Sequence, residues 1–371
     1  MNPTPAASPD EWGPRLADLV DTLTEQDDLR SPAWIEVFSS IPRHLFTPEI
    51  IISTGDGYRT LPTGHPADTG EWLDAVYSDD SLVTQHLPHA AGYRLPSGEP
   101  LQVPTSSSTM PSLMARMLEA LDLADGMRVL EIGTGTGYNA ALLSERLGGR
   151  NVVSIDIDPH LVEAARTWLA ALGHTPTLIA GDGTHGAPDH APFDRIIATA
   201  AVPDIPTAWI HQLAPGGKIL ANLRGDLAGA TCCLLTKDSA DDEVIGPVLP
   251  LGGHFMWLRP DPADPHRPHE HPMRDQRAVS RTTTSLDPTD IPLDDDGFRF
   301  LLQLDLHGIQ TLWRGTAHDP TTRTDHDAVI ATATDGSRAE AFTTPHDDGT
   351  HRILQSGPRT LWPAIEAAHR R

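Results

Sequence analysis

From Pro111 onward, short apolar runs alternate with stretches in which apolar residues return every three or four positions. This pattern predicts helix 111–122, strand 127–132, helix 138–147, strand 151–155, helix 159–172, strand 176–180, strand 193–200, helix 206–213, strand 217–222 and strand 231–236. Strands separated by helices of this length predict an α/β fold, a doubly wound, Rossmann-like parallel sheet. Upstream, Ser8-Pro9-Asp10-Glu11 has the form of a capping box with proline at the first helical position, and Leu16, Leu19, Val20 and Leu23 follow on one face. Ser31-Pro32 opens a second helix carrying Trp34, Ile35, Val37 and Phe38, which ends near Ile41-Pro42. Residues 48–104 are rich in Gly, Pro, His and Asp, and are expected to form a long decorated connection.

Beyond the core the pattern changes. Residues 259–290 carry many prolines and no apolar period, so a linker is expected there. Phe298, Phe300, Leu302, Leu304 and Leu306 then alternate as a half-buried strand, Val329-Ile330 leads to a turn at Asp335-Gly336, and Gly357-Pro358 opens a closing helix through Leu361 and Ile365. The expected organisation is therefore N-terminal helices and loop insertions (1–110), an α/β core (111–258), a Pro/His-rich linker (259–290) and a small C-terminal α+β domain (291–371).

Charge narrows the partners. Lys+Arg 27 against Asp+Glu 51 gives a net charge of −24 over 371 residues, which repels phosphate backbones and anionic lipid, so neither nucleic acid nor membrane is an expected partner. No apolar run approaches a transmembrane span, and the N-terminus lacks a basic-then-apolar signal. Cys232 and Cys233 are adjacent in a predicted strand, where a mutual disulfide would be strained, and a reducing cytoplasm is expected. His266, His269 and His271 lie close in sequence but without cysteine or a fixed helical face, so no metal site is expected.

The chemistry sits where the strands stop. Val129-Leu130-Glu131-Ile132 empties into Gly133-Thr134-Gly135-Thr136-Gly137, and the next strand ends at Asp156. Glycines let a backbone approach a ligand, and an acidic residue ending the second strand accepts from ribose hydroxyls. A dinucleotide fold wants G-x-G-x-x-G, whereas here the third glycine falls one place early and Tyr138 fills the expected slot. The E-x-G-x-G-x-G form points to S-adenosylmethionine rather than NAD. Gly133, Asp156 and Asp182 all fall at strand carboxyl ends, the rim on which such sheets bind ligands. Just upstream, Val103-Pro104-Thr105-Ser106-Ser107-Ser108-Thr109-Met110-Pro111 offers hydroxyls and no base. That suits methyl transfer to a carboxylate, which is already ionised at neutral pH and needs only to be aimed.

With these pieces the chain resembles protein-L-isoaspartate O-methyltransferases from roughly residue 11 to residue 258. The resemblance runs through Ile41-Pro42-Arg43-His44-Leu45-Phe46, Ala75-Val76-Tyr77-Ser78-Asp79, the hydroxyl segment, the glycine loop, Asp156, Gly181-Asp182-Gly183 and Phe193-Asp194-Arg195-Ile196-Ile197-Ala198-Thr199-Ala200-Ala201-Val202-Pro203. It implies a class I methyltransferase fold, with S-adenosylmethionine as cofactor. It further implies that Gly133, Gly135 and Gly137 wrap the methionine part, Asp156 holds the ribose, Ile157 packs on adenine, and Asp182 with Gly183 meets the adenine edge. Glu131, Thr134, Thr136, Thr105, Ser106 and Ser108 join the expected cofactor shell. Ser107 aligns with the active-site serine, and Ser106, Thr199, Ala200 and Ala201 are expected on the acceptor side.

One departure matters: the family shows T-I-S-x-P where this chain reads Thr105-Ser106-Ser107-Ser108-Thr109. The triple serine and C-terminal extension resemble a subgroup acting in the biosynthesis of ribosomally made, modified peptides such as lanthipeptides and graspetides. The implied activity is methylation of an aspartyl side chain in a pre-cyclised precursor peptide, giving an ester that converts to succinimide or isoaspartate. The alternative is repair of L-isoaspartyl residues in damaged proteins; a peptide-binding module without catalysis is a third possibility.

Overall fold

The computed structural model describes residues 7–54, 56–62, 68–89, 92–227, 229–238, 242–263 and 280–371. Contacts divide the chain into two compact units, Met1–Leu223 with Cys232–Arg267, and Arg224–Thr231 with Pro268–Arg371.

The first unit opens with helices α1 (Pro9–Glu25) and α2 (Pro32–Ser40). The α1 start follows its sequence signal: the Glu11 carboxylate accepts from the Ser8 N–H at 2.7 Å and the Ser8 hydroxyl at 2.9 Å. The expected connection of residues 48–104 is instead structured, as β1 (Ile50–Thr54), β2 (Gly57–Leu61), α3 (Asp68–Val76), β3 (Leu82–Pro88) and β4 (Gln102–Ser108). These elements are short and mostly half-buried, so they show little apolar period. Then follow α4 (Pro111–Leu121), β5 (Val129–Ile132), α5 (Tyr138–Leu147), β6 (Val152–Asp156), α6 (Pro159–Ala171), β7 (Thr177–Ala180), β8 (Phe193–Val202), α7 (Thr207–Gln212), β9 (Leu213–Arg224), β10 (Ala230–Lys237) and β11 (Val244–Ile245).

Seven strands form one sheet in the order β11-β10-β9-β8-β5-β6-β7. β5 to β9 run parallel, and β10 pairs antiparallel with β11. The sheet is buried on both faces: Val129 and Ile197 join the apolar cluster that includes α1 to α5, while Leu130, Ile132, Ile196 and Ala198 join the cluster on the other side. The first cluster runs from Leu16 to Phe255, so residues 1–110 share one core with the α/β sheet rather than forming a separate region. The direction of winding reverses at β5, with β6 and β7 on one side and β8 and β9 on the other, and sheets of this kind bind ligands outside the strand carboxyl ends beside such a reversal.

The second unit is a five-stranded antiparallel sheet, β12 (Ser280–Thr284), β13 (Ile309–Asp319), β14 (Thr324–Ala333), β15 (Arg338–Pro345) and β16 (His351–Ser356), in the order β12-β16-β15-β14-β13. It carries helices α8 (Asp296–Asp305) and α9 (Trp362–His369). Three expectations are corrected here. The stretch Phe298–Asp305 is helical: Phe298, Leu302 and the following Leu306 lie four apart and buried, the Asp295 carboxylate accepts from the Phe298 N–H at 2.7 Å, and Leu304 is 52% exposed. The linker ends before residue 290, because β12 joins β16 through backbone pairing that its Ser-Arg-Thr-Thr-Thr sequence does not advertise. The closing helix begins at Trp362 rather than Gly357, with Gln355 Oε1 accepting from the Leu361 and Trp362 N–H groups.

Among the described residues no helix is long and apolar enough to cross a membrane, and no group of three potential ligands could hold a metal. His266, His269 and His271 lie outside the described residues.

Candidate active site

Three loops leave the carboxyl ends of β5, β6 and β7 side by side, tied by backbone bonds from Gly133 N–H to Ile155 O and from Gly181 N–H to Asp156 O, both 2.8 Å. In the first loop Gly133, Gly135 and Gly137 have φ of +97°, +51° and +88°. A Cβ would also collide at two of them, 2.8 Å from Thr199 Oγ1 at Gly133 and 2.8 Å from Ala165 Cβ at Gly137. Asp156 Oδ2 accepts from the Gly135 N–H at 2.8 Å and Oδ1 from the Asp158 N–H at 3.0 Å. Burial raises its carboxyl above the ordinary value, against the pull of these two bonds and of Arg259.

β4 lays the hydroxyl segment against this loop. Ser107 O and Ser106 Oγ come within 3.6 and 3.9 Å of where a Cβ on Gly135 would stand. The Thr105 hydroxyl donates to Gln85 Oε1 at 2.8 Å, and Ser106 Oγ accepts from Thr84 Oγ1 at 3.0 Å. Ser108 Oγ accepts from Arg43 Nε at 3.2 Å. Ser107 is half-buried, and among the described residues its side-chain hydroxyl has no hydrogen-bond partner.

Several expected contacts are reassigned by this geometry. Glu131 is fully buried beneath the loop, with Oε1 accepting from Asn139 Nδ2 at 2.7 Å and Oε2 from the Ser154 hydroxyl. Burial pushes its carboxyl up to about 7, the two hydrogen bonds opposing. It is a brace rather than a cofactor contact, and Thr134 joins it, its Oγ1 2.6 Å from Ser154 Oγ. Ser108 serves Arg43, not the cofactor. Ala201 is fully buried and Ala200 nearly so; Ala201 pairs through its backbone with Met256 and Leu258, which removes its side chain from the acceptor side. The Thr199 hydroxyl donates to Gly133 O at 2.7 Å, so it holds the glycine loop. Thr136 Oγ1 accepts from the Tyr138 N–H at 3.4 Å.

On the far side of the rim Ile157 is half-buried next to Asp156. Asp182 Oδ1 caps a short turn by accepting from the Thr184 N–H at 2.9 Å and hydroxyl at 2.8 Å. Gly183 is packed so closely that a Cβ would stand 2.8 Å from Ile132 Cγ2.

Two arginines carry roles that the sequence pattern did not reveal. Arg43 is fully buried and donates to Val76 O at 2.8 Å, Asp80 O at 2.9 Å and Thr109 O at 3.0 Å, which ties the segment after α3 to the end of β4. Burial lowers its guanidinium to about 10. Arg259, expected as the first linker residue, is buried and donates to Pro262 O at 3.0 Å and Thr105 O at 3.4 Å. The motif around Arg43 was visible, but nothing in a sequence shows which carbonyls will surround a guanidinium.

Comparison with known proteins places the chain in a family. The family model described as protein-L-isoaspartate(D-aspartate) O-methyltransferase matches residues 80–245. The protein-L-isoaspartate O-methyltransferase of Koribacter versatilis is 35% identical over 218 residues, 58% of this chain and 80% of the relative. That of Hyperthermus butylicus is 32% identical over 254 residues, 64% and 89% of the two chains. A solved protein-L-isoaspartate O-methyltransferase shares the fold with a TM-score of 0.51 at 24% identity, covering 95% of this chain and 89% of its own. The chain therefore belongs to the protein-L-isoaspartate O-methyltransferase family, and it is an S-adenosylmethionine-dependent methyltransferase with a class I Rossmann-like fold.

Proposed function

We propose that this enzyme methylates a carboxylate of an aspartate-derived residue within a polypeptide, with the L-isoaspartyl residue as the first acceptor to test. The observation carrying this reading is the strand of hydroxyls laid against the glycine loop, which puts donors for a carboxylate beside a cradle for the methyl donor. The names of the relatives support the isoaspartyl acceptor, and hence protein repair. The solved structure of that name spans nearly the whole of this chain, so a C-terminal extension is compatible with repair.

The residues fit the cofactor: loop glycines without side chains leave the backbone approachable, and Asp156 is a half-buried carboxylate at the rim. In this reading Gly133, Gly135 and Gly137 hold the methionine part, Asp156 the ribose, and Ile157, Asp182 and Gly183 the adenine. S-adenosylmethionine, when bound, supplies an electrophilic methyl group. The acceptor carboxylate is ionised at neutral pH, so the protein has no proton to remove and acts by position and exclusion of water. Ser107 donates its hydroxyl to one carboxylate oxygen and aims the other, with Ser106 behind it.

A specific observation favours a second reading. Ser106 stands where the family has isoleucine, and its buried hydroxyl, bonded to Thr84, makes that wall polar. In this second reading the acceptor is a normal aspartate of a ribosomally made, pre-cyclised precursor, in the cytoplasm, with the C-terminal unit recognising the peptide. The ester would then be displaced by the next backbone nitrogen to give succinimide. One assay separates the readings: a linear isoaspartyl peptide, its aspartyl twin and a cyclised aspartate-rich precursor are each incubated with enzyme and S-adenosylmethionine and followed by mass spectrometry. Repair predicts a labile ester on the isoaspartyl peptide alone. Precursor maturation predicts methyl gain and then methanol loss on the cyclised peptide alone. An alkali-stable methyl group on any of them refutes carboxyl methylation.

A further inference from the structure

β3 and β4 pair antiparallel as a separate two-stranded sheet, with no ladder to the main sheet among the described residues. Besides the chain's own run into α4, side-chain hydrogen bonds join the hydroxyl strand to the cofactor rim. The β3–β4 ladder is irregular on both sides of one residue, shifting between Val83 and Gln85 and again between Gln85 and His86. Such a bulge re-aims a side chain. Here Gln85 Nε2 donates to Asp158 Oδ2 at 2.9 Å, and Gln85 Oε1 accepts from the Thr105 hydroxyl at 2.8 Å. A carboxylate only accepts, so the amide orientation is fixed by its partner. Asp158 is itself anchored, since its Oδ1 caps α6 by accepting from the His160 N–H at 2.8 Å and its own N–H donates to Asp156 Oδ1 at 3.0 Å. Asp156 in turn holds Gly135. One continuous chain of hydrogen bonds thus runs from the acceptor strand through Gln85 to the ribose carboxylate and the glycine loop.

We propose that Gln85 is a positioning residue for methyl transfer, linking Thr105 on the acceptor strand to Asp158 at the cofactor rim so that filling the cofactor site orders the acceptor site. The inference rests on the reading of Asp156 and Ser107 given above. Gln85→Glu keeps the acceptor for Thr105 but sets a second carboxylate against Asp158. Adding Asp158→Asn keeps an oxygen for the His160 N–H and turns an amide N–H toward the new carboxylate, which restores the link with its polarity reversed.

The test measures hydrogen exchange in residues 102–108 with and without S-adenosylhomocysteine, alongside calorimetric affinity and the kcat and KM for the peptide that the wild type methylates. In the wild type the ligand should slow exchange in this strand. In Gln85→Glu that added protection should fall about tenfold, the size of one hydrogen bond to a charged group, and the double variant should recover it. KM for the peptide should rise and fall in step. If Gln85→Glu does not fold, Gln85→Met, uncharged and of similar length, is read for the same loss. The proposal is overturned if ligand-induced protection is absent in the wild type, unchanged in Gln85→Glu, or no better in the double variant than in the single. A wild type that shows the protection yet methylates no peptide would refute the acceptor reading while upholding the coupling through Gln85 between the cofactor rim and β4.

Discussion

Replacing Glu131 by glutamine should make the protein more stable at alkaline pH. The carboxyl lies fully buried, and folding lifts it from an ordinary value of 4.5 to about 7, burial being the largest cause. The folded state therefore binds this proton more tightly than the unfolded chain. Stability is full below 4.5 and falls as pH rises through about 7. At about 1.4 kcal/mol per pH unit, the gap sets a ceiling of about 3–4 kcal/mol on the loss. Glutamine fits the same partners: its oxygen accepts from Asn139, and its amide donates to Ser154 Oγ, whose hydroxyl turns to Thr134 Oγ1. The variant and wild type should then unfold alike near pH 5 and diverge by about 2–3 kcal/mol at pH 9 in favour of the variant. Urea unfolding across this range, followed by tryptophan fluorescence, measures the difference. Trp12, Trp34, Trp72, Trp168, Trp209 and Trp257 belong to the first unit, against Trp313 and Trp362 in the second, so the signal mainly reports the unit holding Glu131. A pH-independent difference, or a variant less stable than wild type at pH 9, would refute the argument.

Asp156→Ala removes the acceptor of the Gly135 and Asp158 N–H groups together with the proposed ribose ligand. At about 1.5–3 kcal/mol per bond to a charged group, calorimetry should find S-adenosylhomocysteine binding reduced at least tenfold, and affinity within twofold of wild type in a folded variant would contradict the assignment. Gly137→Ala combines φ of +88° with a Cβ 2.8 Å from that of Ala165, and should cost about 2–4 kcal/mol of stability in a thermal or urea melt. Ser107→Ala should lower single-turnover methylation by roughly 10²–10³ with little change in cofactor affinity, and an unchanged rate would move acceptor orientation to Ser106 or the backbone.

The α/β core and its cofactor were legible because their signals are local. Alternating apolar runs and helical periods set β5 to β9 and the helices between them, and the glycine loop with Asp156 follows from strand ends and turn chemistry that neighbours along the chain decide. The alternation at Phe298, Phe300, Leu302, Leu304 and Leu306 read as a strand, but Phe298, Leu302 and Leu306 also recur at helical spacing, and the Asp295 cap with packing on that stripe makes a helix. The β3–β4 pair and β12 gave no clear apolar period, since β3 and β4 are ordered by pairing with each other and β12 by pairing with β16, far along the chain. The roles of polar residues were least visible of all. Glu131 read as a ligand of the cofactor, yet folding seals it under Asn139 and Ser154, and Ser108 read as part of the cofactor shell, yet Arg43 claims it. Gln85 drew no reading at all, and Arg259 read only as the first residue of a linker. A carboxylate, amide or guanidinium acquires its function from the donors and acceptors that surround it, and those are brought together only by the tertiary fold.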